Sequence, residues 1–354
     1  MTPRAAVVGT GLVGASVGLA LRRQGWHVTG TDRDGARAER AREVGAVDAV
    51  GLDPAADLTV VATPVGAVAA EAAAALARGP GVVTDVGGVK APVVAAVGSP
   101  RFVGGHPMAG SEQDGVDGAS ADLFEGATWV LTPTADTDPD AYAAVHAAVT
   151  SLGAEVVALP PERHDEIVAV VSHVPHLTAA ALMALAAEGA GEDPALLRLA
   201  AGGFRDMTRV ASGTPAIWPD VCGENRDAIV AALDRLLATL ADVRAVVAAG
   251  DRRALLTALE RARSARSNLP ARWARPAGLV ELRVPVPDRP GVLAEVTTLA
   301  TDLGADIADL EIAHSAEGDR GVLLLLVDGE AGARLRDGLA ARGYRASVAP
   351  LGRP

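Results

Sequence analysis

The spacing of apolar positions changes several times along this chain, and each change predicts a different element. Short apolar runs at 5–8, 27–31, 58–62, 82–86, 128–131 and 155–158 predict strands. Between them, residues 12–21, 34–44 and 65–77 carry helical spacing. Strands that alternate with helices predict βαβ units and a mostly parallel sheet. From residue 161 to 268 almost nothing reads as strand. Residues 161–188 predict a long helix interrupted at Pro175, and 194–204 a shorter one. From Asn225 onward, Ile229, Leu233, Leu236, Leu240, Val243 and Val247 step by four and three, as a heptad seam does. Such a seam packs within its own subunit or against a second copy. An all-helical block beside a sheet domain favours the second copy, and a homodimer is expected.

Residues 271–278 read as a linker, because Pro276 and Gly278 break any helix. Strand-like runs then return at 279–286, 307–314, 321–327 and 344–348, with helical stretches at 291–303 and 332–342. The order βαββαβ predicts a small ferredoxin-like module. The expected class is α/β in three parts. They are a doubly wound sheet domain over 1–160, an all-α substrate and dimerisation domain over 161–270, and the module over 279–354.

Composition narrows the function classes. The chain has 354 residues, 49% of them hydrophobic, so a sizeable core is expected and disorder is not. No membrane span is expected. No signal peptide is read at the N-terminus, and the cytoplasm is the expected location. A net charge of −12 disfavours nucleic acid and anionic membranes as partners. A single cysteine, Cys222, excludes an internal disulfide and a cysteine-clustered site, and no metal is expected. Arginine greatly outnumbers lysine, and Lys90 is the only lysine. That one retained ammonium marks a place where a compact cation serves better than a guanidinium.

After the first strand comes Gly9-Thr-Gly-Leu-Val-Gly14, followed by a helix. Gly9 permits a tight turn, Gly11 lets a pyrophosphate approach the backbone, and Gly14 allows close helix–strand packing. Leu12 and Val13 open the helix, whose free N–H groups favour phosphates. This is the fingerprint of a Rossmann-type dinucleotide site. Asp32 follows the second strand, where a carboxylate accepts from the ribose hydroxyls, so NAD is the expected cofactor. Arg33 beside it would suit the 2′-phosphate of NADP instead. Thr63, after the strand at 58–62, is expected at the sheet edge near the cofactor.

Four further stretches have unusual local chemistry: 85–90, 104–115, 172–176 and 202–209. Residues 104–115 hold four glycines, a proline and His106, and read as an irregular loop at the carboxyl edge of the sheet. Ser172 and His176 are four apart on one helix face, and His173 points elsewhere and reads as a core histidine.

These stretches resemble the prephenate dehydrogenase family, with the C-terminal ACT regulatory domain that some members carry. The resemblance rests on His-Pro-Met-Ala-Gly-Ser-Glu at 106–112, Ser-His-Val-Pro-His at 172–176 and Gly-Gly-Phe-Arg-Asp-Met-Thr-Arg-Val-Ala-Ser at 202–212, with Trp218 and Asn225. It implies an NAD-dependent oxidative decarboxylation of prephenate to 4-hydroxyphenylpyruvate, a tyrosine precursor. It implies that His106 is the catalytic base, for which an imidazole pKa near about 6.5 is suited. It implies that Arg209 binds a substrate carboxylate, and that Ser111 and Glu112 line the pocket mouth. Ser172 and His176 are implied near the substrate, and Lys90, Asp206 and Trp218 as supporting groups. The loop Asp288-Arg289-Pro290-Gly291-Val292-Leu293 is implied to receive an amino-acid effector, tyrosine. One departure stands out: many members have serine where this chain has Gly88, and that serine is credited with holding the histidine. The same chemistry on arogenate is an alternative, as is a catalytically dead, nucleotide-bound amino-acid sensor.

Overall fold

The computed structural model describes residues 2–110, 113, 115–192, 195–267, 279–287, 289–314 and 320–350. The chain forms two compact units, Met1–Leu185 with Thr208–Leu240, and Ala186–Met207 with Ala241–Pro354.

The first unit begins with β1 (Arg4–Val8), α1 (Leu12–Arg23), β2 (His27–Thr31), α2 (Gly35–Glu43) and β3 (Ala49–Val50). It continues with β4 (Leu58–Val61), α3 (Val65–Arg78), β5 (Val82–Asp85), α4 (Ala91–Val97) and β6 (Phe102–Pro107). Then come β7 (Thr128–Thr132), α5 (Pro139–Ser151) and β8 (Glu155–Ala158). The strands form one sheet in the order β3-β2-β1-β4-β5-β6-β7-β8. All neighbours are parallel except β6 and β7. Strand order reverses between β1 and β4, which opens a crevice at their carboxyl ends. Ala5, Val7 and Val60 bury into one apolar core, and Val8, Val61 and Val83 into another. Burial on both faces explains why these strands read as continuous apolar runs.

Residues 104–115 depart from the expected loop. Their first four residues complete β6, with His106 opposite Val130 on β7. The glycines serve close approach rather than irregularity. A Cβ on Gly105 would lie 2.6 Å from the Asp85 carbonyl oxygen and 3.0 Å from Trp129 Nε1.

The helical part starts with α6 (Pro161–Val168), a π-helical turn at Ala169–His173, and α7 (Val174–Glu192). The expected break at Pro175 is thus a widened turn just before it, as a missing backbone donor promotes. By length and apolar content alone, the run Pro161–Gly189 suffices to cross a membrane. Its first two turns, however, bury His164 and Asp165 inside the first unit. The single helix expected at 194–204 is instead two, α8 (Ala195–Arg198) and α9 (Gly202–Thr208). The glycine pair 202–203 weakens a continuous helix there. Residues 202–209 are α9 and the first residue of a 3-10 turn at Arg209–Ser212.

Next come α10 (Trp218–Glu224), α11 (Arg226–Ala248) and α12 (Arg252–Ser267). The heptad seam on α11 divides. Ile229, Leu233 and Leu236 join an apolar cluster with Ala169 and Val174, whereas Leu240, Val243 and Val247 are exposed.

The C-terminal module comprises β9 (Leu279–Pro287), α13 (Val292–Asp302), β10 (Ile307–His314), β11 (Arg320–Asp328), α14 (Gly329–Ala341) and β12 (Ser347–Pro350). Its antiparallel sheet has the order β10-β11-β9-β12, and Leu282, Val284, Val296, Leu325 and Leu335 fill its core. This is the expected βαββαβ topology. The expected linker at 271–278 lies outside the described residues.

Lys90, just before α4, is fully buried. Its ammonium pairs with Asp85 and donates to the Gly105 carbonyl oxygen at 2.8 Å. Asp85 in turn accepts from the Gly105 N–H at 3.0 Å and the Gly87 N–H at 2.8 Å. The two side chains therefore grip both backbone groups of the residue preceding His106. Removing one member of a buried pair leaves the other charge uncompensated, at a cost of about 3–5 kcal/mol. Lys90→Met is expected to lower the stability of the first unit by that order, read from its urea denaturation. An unchanged midpoint would show that the pair adds nothing.

Candidate active site

The glycine loop sits at the crevice where the strand order reverses. Gly9 has φ +93°, and a Cβ there would lie 2.5 Å from the Ala62 carbonyl oxygen. Gly11 behaves differently: nothing lies within 4 Å of its Cβ position. The space above Gly11 is open, and α1 starts there with neither a side-chain cap nor an acidic residue in its first turn. An anion is thus offered free N–H groups and a helix dipole. Leu12 and Val13 are half-buried, while Gly14 is buried against the loop. Thr63 adds a buried Oγ1 that has no hydrogen-bond partner among the described residues. An open cradle and an orphaned hydroxyl at the same sheet edge fit a dinucleotide.

Asp32 is oriented by the fold before any ligand arrives. Its Oδ2 accepts from Thr10 N at 2.9 Å and its Oδ1 from Asp34 N at 3.0 Å. A carboxylate has acceptor sites left over for ribose hydroxyls. The guanidinium of Arg37 lies 3.5 Å from Asp32 Oδ1, and Arg33 is exposed. Arg37 is thus a second arginine beside this carboxylate, which sequence reasoning had not singled out.

His106 lies at the end of β6, and a Cβ on Gly88 would be 3.7 Å from its Nε2. Among the described residues no hydrogen bond reaches this nitrogen. The other nitrogen is held: His106 Nδ1 meets His164 Nε2 at 2.8 Å. His164 Nδ1 meets Asp165 Oδ1 at 2.7 Å. Asp165 also accepts from Lys90 N and Ala91 N, both at 2.8 Å, at the start of α4. Burial, reinforced by His164, Lys90 and His173, pushes the His106 imidazole well below its usual pKa. The sequence expectation of an ordinary imidazole value is therefore revised downward. The imidazole is thus neutral at neutral pH.

His164 and Asp165 escaped sequence reasoning, although a signal was present. Pro161, His164, Asp165 and Val168 are the buried residues of α6. That spacing of three, four and seven is an inward stripe with two polar residues on it. The same network continues through Asn225, whose Nδ2 donates to the Asp165 carbonyl oxygen at 2.9 Å and faces His173 Nδ1 at 3.2 Å. His173 is buried, as expected for a core histidine. Trp218 meets its ring edge to face at 6.1 Å and stacks on the His176 ring at 3.8 Å.

His176 is half-buried, and so is Ser172 in the π-helical turn. Because that turn is wider than an α-helical one, the two do not share a face as simply as their spacing implies. Arg209 is exposed at the start of its 3-10 turn, and Asp206 is exposed on α9. Ser111 and Glu112 lie outside the described residues. In the C-terminal module, Gly291 has φ +89° and precedes α13. Arg289 is drawn back onto that helix by Glu295, which it meets with two contacts of 2.9 Å. Pro290 is exposed, Val292 buried and Leu293 exposed, while Asp288 lies outside the described residues.

Comparison with known proteins agrees with this geometry. A family model described as the prephenate dehydrogenase nucleotide-binding domain matches residues 17–158. A second, described as the prephenate dehydrogenase dimerization domain, matches 160–261. The prephenate dehydrogenase of Bacillus subtilis is 34% identical over 343 residues, which span 90% of each chain. The chain belongs to the prephenate dehydrogenase family. Among solved structures, Synechocystis arogenate dehydrogenase matches with TM-score 0.65 and 32% identity, over 74% of this chain and 98% of that one. A prephenate dehydrogenase from A. aeolicus, in complex with hydroxyphenyl propionate and NAD+, matches with TM-score 0.71 and 29% identity, over 75% and 98%. The family matches end at residue 261, before the C-terminal module.

Burial also depresses His173, to about 4. This histidine is neutral in the fold and takes up a proton on unfolding below about pH 6.5. Its contribution to stability is therefore complete above that pH and is lost as pH falls towards about 4. The urea midpoint is expected to fall between pH 7.5 and pH 5, and to fall less in His173→Gln. Equal falls in both proteins would exclude His173 as a source.

Proposed function

We propose that this member of the prephenate dehydrogenase family converts prephenate to 4-hydroxyphenylpyruvate with NAD, as a step of tyrosine biosynthesis. The observation that supports the reading is a neutral His106 whose Nε2 faces Gly88, at the same carboxyl edge of the sheet as the Gly9–Gly14 cradle. NAD, when bound, supplies the hydride acceptor. Gly9, Gly11, Leu12, Val13 and Gly14 hold its pyrophosphate, Asp32 its ribose, and Thr63 donates from the sheet edge. His106 Nε2 takes the proton of the substrate hydroxyl as the ring carbon loses hydride. The ring carboxylate then leaves as carbon dioxide and the ring becomes aromatic.

Arg209 offers a planar fork to a substrate carboxylate. Ser111, Glu112, Ser172 and His176 complete the substrate pocket, with the His176 ring braced by Trp218. Lys90 supports the base through Gly105. Arogenate is the second reading, favoured by the likeness to the Synechocystis arogenate dehydrogenase. A dead amino-acid sensor is disfavoured, because His106 is held and poised as a base. The assay mixes the protein with prephenate or arogenate and NAD or NADP, and follows reduced cofactor optically. Turnover with prephenate and NAD is expected. His106→Asn is expected to lose roughly 10²–10⁴-fold in kcat, and Arg209→Ala to raise KM chiefly. No turnover with any pair would sink both enzyme readings.

The non-catalytic parts follow the same proposal. The protein works in the cytoplasm as a homodimer, with Leu240, Val243 and Val247 buried between copies. Residues 279–354 act as an ACT domain that binds tyrosine at the 288–293 loop. Light scattering is expected to give a dimer mass, and calorimetry to show tyrosine binding that is lost on deleting 279–354. A monomer mass, or tyrosine binding that survives the deletion, would overturn the corresponding part.

A further inference from the structure

The geometry points to His164, oriented by Asp165, as the positioning residue that fixes the tautomer of His106 and shares the proton it takes up. This deepens the function proposed above and rests on it for the proton's source. The hydrogen-bond chain itself dictates the tautomers. Both Asp165 oxygens already accept from backbone N–H groups at 2.8 Å, so the carboxylate is the acceptor in its 2.7 Å contact with His164 Nδ1. A neutral His164 therefore carries its proton on Nδ1, and its Nε2 is a bare acceptor. Across the 2.8 Å contact, His106 Nδ1 must be the donor. The remaining nitrogen, His106 Nε2, is left without a proton and lies on the side of Gly88. Only that tautomer can receive a substrate proton there.

Charge placement gives the chain its second role. In the oxidation, the hydroxyl proton moves to His106 Nε2 as the carbon-bound hydrogen leaves with its electron pair to the cofactor. When carbon dioxide departs, the carbon–carbon bonding pair enters the ring, and the phenolic oxygen takes a proton back. One proton is thus borrowed and returned, and the imidazole must hold it in between. A cation confined to His106 is disfavoured first by its burial and then by the charge of Lys90 beside it. Shifting the Nδ1 proton to His164 Nε2 moves the charge one ring away and sets it against Asp165. Lys90 and Asp85 face this network from the segment between β5 and α4. His164 and Asp165 face it from α6, and His173 from the π-helical turn.

The test compares wild type, His164→Ala and His164→Gln. A glutamine retains an oxygen for the His106 Nδ1 proton and an N–H for Asp165, whereas alanine keeps neither. Nitrogen-15 NMR of histidine-labelled protein without cofactor is expected to show His106 protonated on Nδ1 in wild type and in His164→Gln. In His164→Ala it is expected to show mixed tautomers. In the turnover assay, His164→Ala is expected to lose about 10²-fold in kcat with KM changed less than about threefold, by analogy with a misoriented triad histidine. The acidic limb of its pH–rate profile shifts, and His164→Gln recovers about tenfold. Should His164→Ala fail to fold, wild type and His164→Gln carry the test. His106 protonated on Nε2 in wild type, or normal kcat and pH profile in a folded His164→Ala, would overturn the inference. The NMR result stands whether or not either substrate turns over, so failure of the proposed reaction is distinguishable from failure of this role.

Discussion

Burying one ammonium group is the constraint on which the site's geometry depends. Lys90 has no exposed surface, and desolvation alone drives its pKa down. The cost is offset only by partners in fixed positions, and the partners found are Asp85 and the Gly105 carbonyl oxygen. Because Asp85 also accepts from Gly105 N–H, the pair cannot form unless β5, β6 and the segment between them are in register. The Lys90 backbone N–H then reaches Asp165, which brings α6 against the start of α4. One buried charge thus fixes the strand that ends in His106 and the helix that supplies His164. A guanidinium is larger and planar, which explains why an arginine-rich chain retains lysine here.

The polar chain beyond Lys90 is buried, and nearly every group in it has a named partner. Asp165 serves His164, Lys90 N and Ala91 N with its carboxylate, and Asn225 with its carbonyl oxygen. Low local dielectric strengthens each such bond and penalises each one left unmade, so the network locks side-chain orientation more firmly than surface contacts can. The depressed pKa values of His106 and His173 are the electrostatic result: both rings are kept neutral by the same burial. Chemistry that needs a neutral imidazole at a fixed angle is served by this arrangement without any moving part.

Much of this was legible in the sequence, for reasons that differ by element. The glycine loop, the alternating first unit and the βαββαβ module declare themselves locally, through turn chemistry and apolar period. β6 did not, because Gly104 and Gly105 look like loop residues until neighbouring strands are known to leave no room for a side chain. The break between α8 and α9 was missed, since alanines and leucines conceal what the glycine pair does. His164 and Asp165 stand on an apolar stripe, a local anomaly whose meaning is long-range: their partners are 58 and 75 residues away.

The glycine at 88 takes on a different sense in this light. A serine at that point, as in many members of the family, would approach His106 from the side of Nε2. In the proposed reaction that nitrogen receives the substrate proton, so a group placed there both orients the ring and competes for its lone pair. Support from His164 acts on Nδ1 instead and leaves Nε2 free. A chain that holds its base from behind has no need of a hydroxyl in front. What glycine supplies there is space, on the face of the imidazole where the proposed reaction places a substrate hydroxyl.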